Sequence, residues 1–135
     1  MFFVFKKGQI FLCLLLALTI TFACFYSLAE KDKNTSLCLD FIESLGYNAK
    51  TKKPEVSVIK IPEGFGKVYE NYNLLQNEAG YDLSHLRGNT VTRYSFPLKG
   101  EEDLIANILI FEGKICGGDI ANISVYGKML PLLPK

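Results

Sequence analysis

The sequence predicts an α+β fold: two helices packed on one face of a small, mainly antiparallel sheet of about four strands, preceded by an N-terminal transmembrane helix. Three patterns predict it. Residues 10–28 are almost entirely apolar. Two later segments repeat apolar residues at helical spacing. Four segments rich in β-branched or apolar residues are bounded by proline and glycine turns, as strands are.

The N-terminal segment comes first. No charged residue lies between Gly8 and Ala29. A helix rises 1.5 Å per residue, so residues 10–28 roughly match the ~30 Å hydrocarbon core of a bilayer. Backbone groups in lipid must be bonded internally, which requires a helix there. Lys6 and Lys7 precede the segment and keep the N-terminus in the cytoplasm, which places the chain from Glu30 onward outside. The expected organisation is a transmembrane anchor or signal peptide over 1–29 and an extracytoplasmic α+β domain over 30–135. Three processing outcomes share this pattern. One is an uncleaved, single-pass anchor in the cell membrane. Another is secretion after cleavage at Ala29, with Ser27-Leu28-Ala29 as the small-x-small site. The third is lipidation at Cys24, where bulky Phe22 fits the signal poorly. A buried helix of a soluble core conflicts with the two lysines and with the abrupt change to Glu30-Lys31-Asp32-Lys33-Asn34.

That polar run reads as a linker. Asn34, Thr35 or Ser36 then caps a first helix of the domain, about Ser36 to Leu45, because a short polar side chain can accept an orphan amide. Cys38, Phe41, Ile42 and Leu45 form its stripe and Gly46 stops it. Val56 to Ile61 is β-branched and ends at Pro62, which predicts a strand. Phe65, Val68, Tyr69, Tyr72 and Leu75 mark a second helix, closed by Gly80. Asp82 can cap one further turn over Leu83 to Leu86. Asn89 to Leu98 alternates Thr90, Thr92, Tyr94 and Phe96 against Val91, Arg93 and Ser95. Lys99-Gly100-Glu101-Glu102 is a polar turn. Leu104 to Phe111 is the most apolar stretch after residue 29 and reads as a central strand. Glu112-Gly113 is a hairpin turn, and Lys114 to Ile120 returns. Gly117-Gly118 within it signals a bulge or a close backbone approach. The tail from Val125 holds Pro131 and Pro134 and is expected to be irregular beyond Leu130.

The chain has 135 residues and a net charge of +1. Without Lys6 and Lys7 the remainder carries 13 basic against 14 acidic residues. Such a balanced surface cannot collect phosphates, which argues against nucleic acid as a partner. Cys38 and Cys116 are the two cysteines of the exported part, and neither has the neighbours of a zinc site. Outside the cytoplasm they are a candidate disulfide. Closing a loop of about 78 residues stabilises by roughly 4 kcal/mol on the chain-entropy argument. The alternative is two buried free thiols.

Several runs resemble a bacterial family, domain of unknown function 4830. They are Phe41-Ile42-Glu43-Ser44-Leu45-Gly46-Tyr47, Ile61-Pro62-Glu63, Val68-Tyr69-Glu70-Asn71-Tyr72-Asn73, Gln76, Gly80-Tyr81-Asp82-Leu83, Gly88, Arg93-Tyr94 and Gly117-Gly118-Asp119. The resemblance covers about Leu39 to Asp119. It implies a short protein with one N-terminal membrane segment, and it implies no activity, substrate or catalytic residue. Cys38 and Cys116 stand outside the family signature.

No catalytic constellation, metal-ligand spacing or cofactor motif is legible. His85 is the sole histidine, and no nucleophile elbow surrounds Ser84, Ser95 or Cys116. Gly117, Gly118 and Asp119 are the most distinctive short motif. They read either as a bulged strand with a capping aspartate or as a cleft where Asp119 meets a ligand. Tyr69, Tyr72, Tyr81 and Tyr94 read either as core with hydroxyls at the rim or as an aromatic groove. Arg93, between Thr92 and Tyr94, is an unusual strand charge whose expected partner is Asp119 or Glu70. The candidate binding residues are therefore Gly117, Gly118, Asp119, Arg93, Tyr94 and Tyr72. The expected function is a non-catalytic binding module of the cell envelope, with the membrane as partner through residues 10–28 and an envelope protein or peptide as a further one. The alternative is a small hydrolase working through Asp119, Arg93 and His85.

Overall fold

The computed structural model describes residues 6–100, 102–124 and 127–135. Glu101 of the expected polar turn and Val125-Tyr126 at the start of the tail lie outside them. The chain forms two compact units that divide between Lys33 and Asn34, a few residues beyond the expected boundary.

One helix, α1 (Lys7–Ser44), contributes to both units. Its N-terminal apolar stretch is long enough to cross a membrane by length and composition, and none of that stretch is buried. The expected linker and helix cap at residues 30–36 are not formed, because α1 runs through them without a break. No proline or glycine interrupts Lys31 to Ser44, so nothing there forces a stop. Asn34 is buried inside the helix and not at its start, and its side-chain amide donates to the Tyr94 hydroxyl at 3.4 Å.

The second unit is built on β1 (Glu55–Lys60), α2 (Lys67–Glu78), a short 3-10 turn (Leu83–Leu86), β2 (Thr90–Pro97), β3 (Leu104–Phe111), β4 (Lys114–Asn122) and β5 (Met129–Leu130). The sheet has five strands, in sequence order, and every pair is antiparallel. The fifth strand, two residues long, is one more than the four expected; it ends at Leu130, beyond which an irregular tail is expected. Glu112 and Gly113 both have positive φ, 48° and 73°, the conformation a tight two-residue hairpin requires. α2 ends as expected at Gly80 (φ 84°), where the amide of Tyr81 bonds the Gln76 carbonyl at 3.0 Å.

Side chains alternate across a strand, and residues paired across strands share a face. The pairs Tyr94↔Ile108, Phe96↔Ala106 and Ala106↔Ile120 define one face. Cys38, Ile42 and Leu45 of the α1 end cluster with these residues and with Leu132. The pairs Ile59↔Val91 and Leu109↔Gly117 define the other. Val91, Leu109, Ile61 and Leu83 cluster there with Phe65, Tyr69 and Tyr72. The two helices therefore cover opposite faces, not one. The sheet has apolar residues on both sides, and each side needs a lid.

The bulge expected at Gly117-Gly118 falls one residue earlier. Leu109 pairs with Gly117 but Ile110 pairs with Ile115, so Cys116 is the extra residue. Gly118 has φ 146°, and a Cβ there would overlap the Asn107 carbonyl oxygen. Gly118→Ala is expected to destabilise the fold by about 3 kcal/mol, from a disfavoured backbone conformation plus overpacking. Urea denaturation followed by circular dichroism measures this, and a loss below 1 kcal/mol on that same scale contradicts it.

Candidate functional site: a groove between α2 and the sheet

A cavity of about 480 Å³ lies between α2 and the second face of the sheet. Each element reaches it for a reason visible in its pattern. The α2 stripe turns Tyr69, Tyr72 and Leu75 toward the sheet, with the exposed Val68 at the rim of the cavity. Ile59 of β1, Arg93 of β2, Asn107 and Leu109 of β3, and Asp119 of β4 point to the same face by strand alternation. Phe65 stacks on Tyr69 with ring centroids 5.1 Å apart, and Tyr69 meets Tyr72 edge-on at 6.1 Å. Arg87 lies 4.4 Å over the Phe65 ring. The aromatic wall is thus packed from behind.

A chain of polar groups crosses the floor. The Ser95 hydroxyl donates to the side-chain Oδ1 of Asn107 at 2.7 Å. The Asn107 amide donates to Asp119 Oδ1 at 2.9 Å. The Tyr72 hydroxyl donates to Asp119 Oδ2 at 2.8 Å. Asp119 is 3% exposed, and a buried carboxylate needs such donors because desolvation is otherwise costly. Burial pushes the Tyr72 hydroxyl well above the ordinary tyrosine range, and the negative charge of Asp119 and their hydrogen bond push it further. Tyr72 therefore stays a donor. Gln76 sits beside this contact, with its Oε1 accepting from the Gly118 amide at 2.8 Å. A Cβ on Gly117 would run into that same oxygen.

Of the six candidate residues, the groove gathers three: Tyr72, Arg93 and Asp119. Gly117 and Gly118 act from behind, by letting Gln76 and Asn107 come close. Tyr94 belongs to the opposite face, in the cluster under α1. Tyr81 packs with that cluster too, so the four tyrosines do not form one groove. Arg93 makes no ion pair with Asp119 or Glu70. His85 Nε2 lies 3.4 Å from Asp82 Oδ2, an ion pair when the imidazole is protonated. His85 is an exposed member of the 3-10 turn, not part of the groove lining. A hydrolase built on His85 with Arg93 and Asp119 would need the three together, and of them only Arg93 and Asp119 line the cavity. Asp82 caps that turn by accepting from the Ser84 amide, and it also accepts from the Asn73 side chain, both at 2.9 Å. Hydrogen bonding from the Ser84 side chain, then from Asn73 and the Ser84 amide, lowers its carboxyl to about 2.

Asn107 was not singled out by the sequence patterns, yet it joins Ser95 to Asp119. Its signal is that it is the one polar residue in Leu104–Phe111. No group of three or more metal-binding side chains occurs among the described residues.

Cys38 and Cys116 are both free thiols, so of the two readings the candidate disulfide is not formed. Cys38 lies in the cluster on one face and Cys116 packs against the cluster on the other. The sheet itself separates them. Burial pushes Cys38 up to about 12 and Cys116 up to about 11.

No family model, curated protein or solved structure matches the chain.

Two outcomes test this geometry. At about pH 8, where an ordinary cysteine is partly thiolate, Cys38 and Cys116 should resist iodoacetamide in the folded protein and react after denaturation. Peptide mapping reads this, and fast labelling of Cys38 in the native state contradicts its burial. Tyr72→Phe removes one donor from a buried carboxylate and should cost about 1–3 kcal/mol. Equal urea midpoints for the variant and the parent protein would rule that out.

Proposed function

We propose that this chain is a membrane-tethered, non-catalytic binding module of the cell envelope. Its folded part lies outside the cytoplasm and holds a ligand or partner in the groove under α2. The groove itself carries the reading. It has the size of small-molecule and side-chain pockets, apolar walls and a few convergent polar groups, the usual make-up of a binding site. The polar floor is already hydrogen-bonded within the protein, which suits holding better than proton transfer. Lys6 and Lys7 before the apolar stretch support the orientation. The uncleaved anchor is favoured over cleavage after Ala29 because α1 continues without a break past that position. Membership of the domain of unknown function 4830 family belongs to the same proposal, supported by the ordered residue runs from Phe41 to Asp119.

Site-specific cross-linking in intact cells tests it. A photoreactive amino acid at Val68, which lines the groove, should give a defined adduct. The same group at Val58, exposed but on the opposite face, should give none. An alkaline phosphatase fused after Lys135 should be active. Equal labelling at both positions removes the groove from consideration, and an inactive phosphatase removes the location.

A further inference from the structure

Two buried side-chain nitrogens have no hydrogen-bond acceptor among the described residues, Gln76 Nε2 and Arg93 Nε. Of these two residues, Arg93 is the one that lines the groove. Its strand position explains how it gets there. Arg93 sits between Ser57 and Leu109 in the sheet, on the face that α2 covers. Asp119 shares that face, but its oxygens are engaged by Tyr72 and Asn107. The guanidinium is therefore held beside apolar walls with donor capacity to spare, and a buried donor without an acceptor is costly.

The geometry points to a ligand class, and this inference rests on the binding reading above: the groove takes an amphipathic monocarboxylate, one carboxylate carried on an apolar chain or ring. The carboxylate accepts from Arg93, whose planar fork matches it. The apolar part lies along Ile59, Tyr69, Tyr72 and Leu109. Three features select this class. A neutral apolar molecule would fill the walls and leave the Arg93 donor unpaired. A small polar anion would satisfy Arg93 and leave the apolar walls without a counterpart. A dianion such as a phosphate monoester would add a second negative charge in the space that Asp119 already occupies, and like charges oppose one another strongly where water is scarce.

Calorimetric titration of the full chain in lipid nanodiscs tests this, with empty nanodiscs titrated for subtraction. The probes are phenylpropionate, its primary amide and phenyl phosphate. The acid should bind about ten-fold or more tightly than the amide, the size of a charge-assisted hydrogen bond, and more tightly than the phosphate. Arg93→Gln should bring acid and amide to equal affinity, while Arg93→Lys should keep part of the preference. Should Arg93→Gln fail to fold, the acid-to-amide ratio of the parent protein decides alone. Equal affinities, tighter phosphate binding or no binding of the acid each overturn the proposal. If the acid fails while Val68 still gives its position-dependent adduct, the ligand class is wrong and the binding module stands. If both fail, both are wrong.

Discussion

Strand alternation in β2 and β3 sends Tyr94, Phe96, Ala106 and Ile108 to one side and Val91, Arg93, Asn107 and Leu109 to the other. The first set is apolar and the second is half apolar, through Val91 and Leu109, so neither side of the sheet can face water along its whole length. This double demand arranges the rest of the unit. The end of α1 closes the first side with Cys38, Ile42 and Leu45, and the result is a dry core that includes Phe96, Leu98 and Ile120, all fully buried. α2 closes the second side with larger, partly polar residues. The space left between these residues and the sheet is the groove.

The two sides also differ in chemistry. Under α1, the hydroxyl of Tyr94 meets the buried amide of Asn34. Under α2, four polar side chains from three strands and the helix run in sequence: Ser95, Asn107, Asp119 and Tyr72. Each hydrogen bond in such a run holds the next group in place. It also ties α2 to the middle of the sheet through a bond across 47 residues of chain. Arg93 lies beside this run without joining it, which leaves its charge facing the cavity.

Much of the architecture was legible in the sequence. The period-two alternation of Thr90 to Phe96, the glycine turn after Phe111 and the stripe from Phe65 to Leu75 each match an observed element. What was not legible has physical causes. Glu30 to Asn34 is polar, which reads as a linker, but polarity does not end a helix that contains no proline or glycine. The assignment of both helices to one face failed because alternation says that a strand has two faces and not which helix reaches which. The choice between a Cys38–Cys116 disulfide and two free thiols stayed open for the same reason, since their positions relative to the sheet come only from register. In the site, Tyr72, Arg93 and Asp119 stood out as polar or aromatic residues in ordered elements. Asn107 was hidden by the apolarity of its neighbours, and Tyr94 misled because a buried tyrosine and a groove tyrosine look alike in one dimension.

The extra residue at Cys116 determines more than a local kink. Suppose the pairing set by the Glu112-Gly113 hairpin continued unshifted down β4. Asp119 would then stand opposite Ala106, in the apolar layer with Phe96 and Ile108, away from its donors Tyr72 and Asn107. Adding one residue reverses the parity of everything downstream and delivers the acid to the groove side with Arg93. Placement of charge in this domain is thus governed by chain length between two turns as well as by residue identity. Within the strand, a change in length would relocate the acid while leaving its composition almost untouched.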